Sequence, residues 1–345
     1  MFEQLIRTCI RELHPYSSAR DEFSGQASVY LDANENPFNS PYNRYPDPLA
    51  HSLKEEIASV KGIAPTKIFT GNGSDEAIDL IIRIFCEPGK DEVLSYSPTY
   101  GMYQVCAAIN NVKYTAVPLG QGFLPDAQEL LGMAGPASRV VFICSPNNPT
   151  SNSFPRESIL QILDHFPGIV VIDEAYIDFS SNPGFLDALE RYPRLVILQT
   201  LSKAWGLAGI RLGMAFAHEE IISWMNRVKY PYNVNVLTQQ MALNVLPDRD
   251  RKEKWIREIL AGREFLLNQL PAFPMVEKIF PSDANFLLVR FRDARKVFHY
   301  LMDIGIIVRD RSSVPSCEGC LRITVGKPQE NEALLHALKE YAEAE

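Results

Sequence analysis

The chain has 345 residues, a length that suits two packed domains better than one simple core. Hydrophobic residues make up 46% and charged residues 22%, which is ordinary for a globular protein and excludes disordered and fibrous classes. The net charge of −8 excludes a chain-wide basic surface for nucleic acid, although a local basic pocket for a small anion stays open.

The N-terminus shows no targeting pattern. Residues 1–13 contain several charged side chains and lack the apolar centre of a signal peptide. Elsewhere no apolar stretch approaches the ~20 residues of a membrane helix. We therefore expect a cytoplasmic protein.

Residues 1–50 are predicted to form an N-terminal arm, because a short helix-like start is followed by Pro/Asn-rich runs at 31–38 and 41–48. From residue 51 onwards helical stripes alternate with short, nearly continuous apolar runs. These runs predict strands at 68–70, 92–95, 112–117, 139–144, 169–172, 195–200 and 213–217. Such runs are typical of strands buried on both faces, so residues 51–250 predict an α/β domain with a mostly parallel seven-stranded sheet flanked by helices.

The pattern changes after residue 250. A charged helix over 248–270 precedes a predicted helix at 294–305, a final helix, and strands at 284–290, 306–309 and 321–325. Residues 251–345 therefore predict a smaller α+β C-terminal domain. The Cys317/Cys320 pair within it lacks the second Cys or His pair of a zinc site, so we expect free reduced thiols and no metal.

The strongest local motif is Thr200-Leu-Ser-Lys203, which ends a predicted strand and continues through small residues and glycines to Arg211. A lysine amine on a rigid element can form a Schiff base with a carbonyl, and an arginine fork suits a phosphate. Small residues allow a bulky ligand to approach the backbone. Taken alone, the motif also fits a solvated lysine and a salt-bridged arginine.

Other motifs also follow predicted strands. Asp173 ends a buried strand, where an ionised carboxylate can keep a pyridine nitrogen protonated, although a helix N-cap or a metal ligand stays open. Asn148, in a turn-forming run, is a candidate donor to a cofactor ring oxygen. The Gly-rich turn at 70–76 suits an anion site or a plain capped helix. Tyr100 suits stacking on a flat ring, or a place in the core.

Together and in this order, these motifs resemble the fold-type I pyridoxal-phosphate enzymes of the class I/II aminotransferases, from about residue 28 to the end. Within that family the chain is most similar to the subgroup that acts on L-histidinol phosphate, on the strength of residues 31–38, 43–47, 71–76, 173–179 and 319–326. The resemblance implies reversible amino transfer to 2-oxoglutarate, which gives imidazole-acetol phosphate and L-glutamate in histidine biosynthesis.

The resemblance also implies roles at pyridoxal 5′-phosphate. Lys203 would hold the cofactor as a Schiff base and then act as the general base, which requires a lowered pKa. Asp173 would pair with the ring nitrogen, and Tyr176 and Asn148 would hydrogen-bond the phenolic oxygen. Tyr100 would stack on the ring.

The cofactor phosphate would be held by the backbone of Ser74 and Asp75 and by the side chains of Ser202 and Arg211. Tyr45 matches a tyrosine that reaches the phosphate of the neighbouring subunit, so the resemblance implies a homodimer whose arm packs with the small domain and the partner.

Substrate binding would fall to Tyr16 and Asn34 of the arm and to Arg309 and Arg322. Two arginines suit a dianionic phosphate, although a salt bridge of Arg309 with Asp310 or another carboxylate is the alternative. The family's Asn-Pro-Thr-Gly run ends here in Ser151. If that position requires a positive φ, serine costs ~1 kcal/mol of strain.

Three other functions stay open. Threonine-phosphate decarboxylases share this scaffold, and an aromatic or broad-range aminotransferase fits the same motifs. A cofactor-binding regulator is disfavoured, because the chain carries no added DNA-binding segment and all the catalytic positions are filled.

Overall fold

The structure is a computed structural model that describes residues 3–14 and 28–344. Helix α1 (Thr8–Arg11) lies near the start of the chain, and the backbone of Arg7 donates to Ile84, which joins this start to the body of the protein. Residues 28–50 form turns and bends. Tyr16, a predicted substrate residue, lies outside the described residues.

One seven-stranded sheet dominates the structure, with the strand order β1-β7-β6-β5-β4-β2-β3. The five neighbours from β6 to β3 are parallel, and β7 runs antiparallel to both β6 and β1. The mostly parallel seven-stranded sheet is therefore confirmed. Its strands are β1 (Ile68–Asn72), β2 (Glu92–Ser97), β3 (Lys113–Pro118), β4 (Ser138–Cys144), β5 (Ile169–Asp173), β6 (Leu195–Thr200) and β7 (Leu212–Ala217).

Helices cover both faces of this sheet. Alternate residues of each central strand enter opposite hydrophobic clusters: Val141 and Ile143 pack on one side, and Val140 and Phe142 on the other. The first cluster includes side chains of α2 (His51–Lys61), α5 (Ala127–Met133), α6 (Arg156–His165) and α8 (Val236–Val245). The second includes α3 (Gly73–Phe85), α4 (Met102–Ile109) and α7 (Glu219–Val228). Burial on both faces explains why the strands are continuous apolar runs.

A second, four-stranded antiparallel sheet lies near the C-terminus, in the order β10-β11-β9-β8. It packs against three helices through a core that includes Leu266, Val289 and Leu338. The predicted smaller α+β unit is confirmed, while the boundaries at residues 50 and 250 stay predictions. Its elements are α9 (Arg249–Gln269), β8 (Val276–Ile279), β9 (Phe286–Phe291), α10 (Ala294–Asp303), β10 (Arg309–Asp310), β11 (Cys320–Thr324) and α11 (Pro328–Ala344).

The strands of this unit depart from the prediction in two places. β8 was not predicted, because its central residues, Glu277 and Lys278, are exposed and interrupt any apolar run. The strand predicted at 306–309 shrinks to the two residues of β10, since residues 306–308 form no ladder. No helix within 3–14 or 28–344 is long and apolar enough to cross a membrane.

Candidate active site

The carboxyl ends of β4, β5 and β6 meet at one edge of the large sheet, where they border a cavity closed on another side by the start of α3. This is the edge where parallel α/β sheets bind ligands. Nine of the ten predicted cofactor residues line this cavity; the exception is Tyr45. The full lining is Gly73, Ser74, Asp75, Tyr100, Cys144, Asn148, Asp173, Ala175, Tyr176, Thr200, Ser202, Lys203 and Arg211.

Lys203 follows β6 directly, in a turn that is pinned by a hydrogen bond from the backbone of Leu201 to Leu212. Its ammonium nitrogen lies 5.2 Å from the centre of the Tyr176 ring. Burial lowers the pKa of Lys203, and the positive charges of Arg322 and Arg211 lower it further. A lowered pKa increases the fraction of neutral amine near neutral pH, as a nucleophile or base requires.

Asp173 is the last residue of β5 and is almost fully buried, with 2% of its surface exposed. Its carboxylate accepts hydrogen bonds from the hydroxyl of Tyr103 at 2.8 Å and from the backbone N–H of Ala175 at 3.1 Å. Burial raises the pKa of Asp173 to about 6, against these two donors. A cation beside this carboxylate would favour its ionised form.

Tyr103 belongs to the site although it was not predicted there. Its ring is fully buried on α4 and stacks on Phe142 of β4, with the ring centres 4.8 Å apart. This stacking fixes the direction of the hydroxyl toward Asp173. Tyr100 precedes α4, so helical spacing gave no signal for this role, which depends on the packing of α4 on β4.

The N-terminus of α3 and Arg211 form a cradle for an anion. The backbone N–H of Gly73 donates to the carbonyl oxygen of Arg211 at 2.7 Å, and Arg211 itself has a left-handed backbone with φ of 54°. A Cβ atom at Gly213 would lie 2.2 Å from the backbone of Gly73 and Ser74, so only glycine allows this close approach. The first N–H groups of a 13-residue helix therefore point at the cavity beside a guanidinium.

Tyr100 and Ser202 complete the cavity wall near this cradle. The Tyr100 hydroxyl donates to Asp75 at 2.9 Å, and its ring meets Tyr103 edge-on. The hydroxyl of Ser202 accepts from Thr200 at 3.0 Å. Both side chains are thus held in place at the edge of the cavity.

Asn148 joins the large sheet to the small one. Its side-chain oxygen accepts a 2.6 Å hydrogen bond from Arg322 of β11, across 174 residues of sequence. Because that oxygen is engaged, the amide nitrogen is the atom left to donate to a ligand in the cavity. Tyr176, also largely buried, has a raised pKa because of burial, so its hydroxyl keeps its proton.

Ser151 does adopt a positive φ of 66°, as the family's glycine would require. The side chain is fully buried, and its hydroxyl donates to the carbonyl oxygens of Thr150 at 2.6 Å and Pro281 at 3.1 Å. The backbone N–H of Asp283 donates in turn to Ser151 at 2.7 Å. The strained turn therefore anchors the segment that precedes β9.

The predicted substrate residues are only partly brought together. Arg309 is exposed and lies directly opposite Arg322 in the β10–β11 ladder. Among the described residues it makes no ion pair with Asp310 or another carboxylate. Asn34 is exposed and does not line this cavity, and Tyr45 stacks on Tyr232 at 4.5 Å.

No group of three or more His, Cys, Asp or Glu side chains within the described ranges is arranged to hold a metal ion. Each of the six cysteine thiols is free. The cavity itself presents an amine, a carboxylate, hydrogen-bond donors and an anion cradle.

Comparison with known proteins agrees with this arrangement. A sequence profile for aminotransferase class I and II matches residues 26–338. The chain is 56% identical to the histidinol-phosphate aminotransferase of Parabacteroides distasonis, over 98% of each protein. It is 48% identical to that of Cytophaga hutchinsonii, over 98% of this chain and 99% of the relative.

Solved structures share the fold. The histidinol-phosphate aminotransferase of Clostridium acetobutylicum superposes with a TM-score of 0.81, at 24% identity, over 88% of this chain and 92% of that one. The histidinol-phosphate aminotransferase of Sinorhizobium meliloti, solved in complex with pyridoxal-5′-phosphate, superposes with a TM-score of 0.79, at 24% identity, over 87% of this chain and 83% of that one. The resemblance found in the motifs is confirmed: the chain belongs to the class I and II aminotransferases, a family of pyridoxal-phosphate-dependent enzymes.

Proposed function

We propose that the chain catalyses reversible amino transfer between L-histidinol phosphate and 2-oxoglutarate, giving imidazole-acetol phosphate and L-glutamate. Relatives that match nearly the whole chain carry the name of this enzyme. The geometry that supports the substrate assignment is the Arg309–Arg322 pair on neighbouring strands, of which Arg322 contacts the cavity residue Asn148. Two guanidiniums that have no carboxylate partner within residues 3–14 and 28–344 suit a doubly charged phosphate.

The cavity residues fit pyridoxal phosphate. Asp173 is a buried carboxylate whose hydrogen-bond donors among the described residues are both neutral, so a protonated ring nitrogen would supply a positive partner. The α3 cradle with Arg211 and Ser202 would hold the phosphate. When bound, the cofactor supplies an aldehyde for the amine and a ring that withdraws electrons from the reacting carbon.

Lys203 would hold the cofactor covalently and, once released from it, move a proton to and from the substrate carbon. Its lowered pKa leaves more of the amine neutral, and therefore able to accept a proton, near neutral pH. The hydroxyl of Tyr176 and the amide of Asn148 would donate to the phenolic oxygen, while Tyr100 would stack on the ring.

Arg309 and Arg322 would bind the substrate phosphate, together with Tyr16 and Asn34 of the arm. The Arg322 guanidinium is half-buried, and burial lowers its pKa. A half-buried cation gains more from an anion than an exposed one, because the local dielectric screens less. Arg322 is therefore the stronger of the two anchors.

We also propose a homodimer. Tyr45 is 51% exposed and stacks on Tyr232, outside the lining of the chain's own cavity. An aromatic pair with one exposed ring suits an interface, where tyrosine is enriched. In the dimer, Tyr45 would donate to the cofactor phosphate in the neighbouring subunit.

A panel of substrates tests the proposal. Purified enzyme loaded with pyridoxal phosphate is assayed with L-histidinol phosphate, L-phenylalanine and L-threonine phosphate, with 2-oxoglutarate as acceptor. The proposal predicts the highest kcat/KM for histidinol phosphate and no turnover by Lys203→Ala. Faster turnover of phenylalanine would indicate a broad-range aminotransferase, and release of carbon dioxide from threonine phosphate would indicate a decarboxylase.

A further inference from the structure

A third arginine lies on the same face of the small sheet as the proposed substrate pair. The ladder between β10 and β11 continues one residue beyond β10, because the backbone N–H of Arg311 donates to Cys320 at 2.9 Å. Side chains of a strand alternate between the two faces of a sheet. Arg309 and Arg311 therefore project from the same face as Arg322, while Asp310 projects from the other.

The side chain of Arg311 is half-buried but has no partner among the described residues. Its Nε atom is buried without a hydrogen-bond acceptor, and the guanidinium makes no ion pair within 3–14 or 28–344. The carboxylate of Asp310 is used elsewhere, since it accepts from the backbone of Ser312 at 2.8 Å. Five other described arginines have a buried Nε atom without an acceptor, but each of them has another hydrogen bond or an ion pair. A half-buried guanidinium with no partner among the described residues is costly, and an anionic ligand would supply the acceptors that it lacks.

The surroundings of Arg311 are positively charged. Burial lowers its pKa most, and Arg322 and Arg309 lower it further. Arg311 also affects the pKa of Tyr176, which lines the cavity, so its guanidinium lies within electrostatic range of the proposed site. Three like charges this close repel one another unless an anion joins them.

Another arginine on this sheet face has a structural explanation that Arg311 lacks. Arg290 lies opposite Cys320 on β9, where its guanidinium donates to Ser316 at 3.4 Å and lies over the ring of Phe280. Its Nε atom is also buried without an acceptor, but a terminal nitrogen of its guanidinium has this partner within the small sheet. Arg311 is thus the member of the row that is available to a ligand.

We propose that Arg311 binds the phosphate of the substrate together with Arg309 and Arg322, and that this third guanidinium makes the site prefer phosphorylated amino donors. The inference rests on the proposed function and deepens it. A phosphate monoester carries nearly two negative charges near neutral pH and three terminal oxygens, enough acceptors for three arginine forks. A substrate without the phosphate offers none of these acceptors at that end.

The test compares holoenzymes with wild-type sequence, Arg311→Gln and Arg311→Lys on L-histidinol phosphate and on L-histidinol, which lacks the phosphate. We expect Arg311→Gln to raise the KM for histidinol phosphate about tenfold or more, and to change kcat and the kinetics of histidinol less than about twofold. Arg311→Lys keeps the positive charge but not the two-pronged guanidinium, so its KM should lie between the KM values of the wild type and of Arg311→Gln.

The matched control is Arg292→Gln, which removes the same charge from an exposed arginine in the turn after β9 that donates to Pro274 at 3.1 Å. Its KM should stay within about twofold of the wild-type value. An unchanged preference for the phosphorylated donor in Arg311→Gln would overturn the inference, as would an equal loss with both donors.

A binding measurement separates this inference from the proposed function. Inorganic phosphate is titrated calorimetrically into wild-type, Arg311→Gln and Arg311→Lys holoenzymes. If wild-type enzyme does not turn over histidinol phosphate, the proposed function fails, but weaker phosphate binding by Arg311→Gln still supports the role of Arg311. Equal phosphate binding by the wild type and by both variants contradicts it. Arg311→Lys decides the question where Arg311→Gln does not fold.

Discussion

Replacing Tyr103 by phenylalanine removes one hydroxyl and leaves the ring stacked on Phe142. The lost group is one of the two hydrogen-bond donors to the buried carboxylate of Asp173. The ring is fully buried, so water does not easily replace the donor. The variant therefore tests whether Tyr103 keeps Asp173 ionised for a positively charged ring nitrogen.

The size of the effect follows from the pKa of Asp173. With both donors present, burial raises this pKa to about 6. A hydrogen bond to a charged group is worth about 1.5–3 kcal/mol, so its loss should raise the pKa by one or more, to ~7 or above. Near pH 7 the ionised fraction of the carboxylate would then fall from about nine-tenths to about a half or less, and cofactor affinity should fall about twofold to tenfold.

The assay measures the dissociation constant of pyridoxal phosphate between pH 5.5 and 8.5, after the cofactor has been removed from each protein. Because the ionised carboxylate binds the cofactor, affinity falls as pH drops through the pKa of Asp173. We expect this fall at a higher pH in Tyr103→Phe than in the wild type.

The control is Tyr96→Phe, which removes another buried hydroxyl, one that donates to Asp126 at 2.9 Å on the far side of the sheet. Its pH profile should match that of the wild type. If Tyr103→Phe also matched the wild type, Tyr103 would have no part in setting the charge of Asp173.

Three further results are expected. Ser151→Ala keeps the left-handed backbone strain and loses the hydrogen bond from the hydroxyl to Pro281. Urea unfolding should therefore show a free energy of unfolding about 1–3 kcal/mol lower than that of the wild type. Ser151→Gly relieves about 1 kcal/mol of that strain and should lose less; the reverse order would refute the account. Because the pKa of Asp173 is raised from its ordinary 3.8 to about 6, its contribution to the stability of the cofactor-free protein is complete below pH 3.8 and is lost as pH rises through 6. At pH 8 the cofactor-free Asp173→Asn protein should therefore have a free energy of unfolding up to about 3 kcal/mol higher than that of the wild type, and at pH 4 it should have no such advantage. Denaturant titrations that show the wild type to be the more stable protein at pH 8 would contradict this. Gly213→Ala should lower both stability and cofactor affinity, because the added Cβ meets the backbone of the cradle. In the control Gly209→Ala the added Cβ meets no atom within 4 Å, so this variant should bind the cofactor normally. Equal cofactor affinities of the two variants would disprove the close approach at Gly213.

Much of the large sheet was predictable from sequence because its strands are buried on both faces. A strand such as Ile169–Asp173 is apolar at four successive positions and ends in a single carboxylate. That pattern marks both the strand and the position of its site residue. Lys203 and Asn148 were found in the same way, since each follows the end of a neighbouring strand.

What escaped prediction depends on contacts between distant segments. Sequence offers two tyrosines at 100 and 103, and only the packing of α4 on β4 shows that Tyr103 reaches Asp173. The contact of Arg322 with Asn148 requires the two sheets to be docked. Arg311 was missed because the predicted strand ended at residue 309, whereas the ladder continues beyond it. β8 was missed because it is half-exposed.

The central claim is that one lysine, placed at the end of β6 among Asp173, Asn148 and the α3 cradle, holds the cofactor. Borohydride makes the reversible lysine–cofactor link permanent, so peptide mass spectrometry of the reduced holoenzyme identifies the lysine directly. The account predicts the pyridoxyl phosphate group on Lys203 alone, and no labelled peptide from Lys203→Ala. Labelling of a different lysine, or full labelling of the alanine variant, would contradict it.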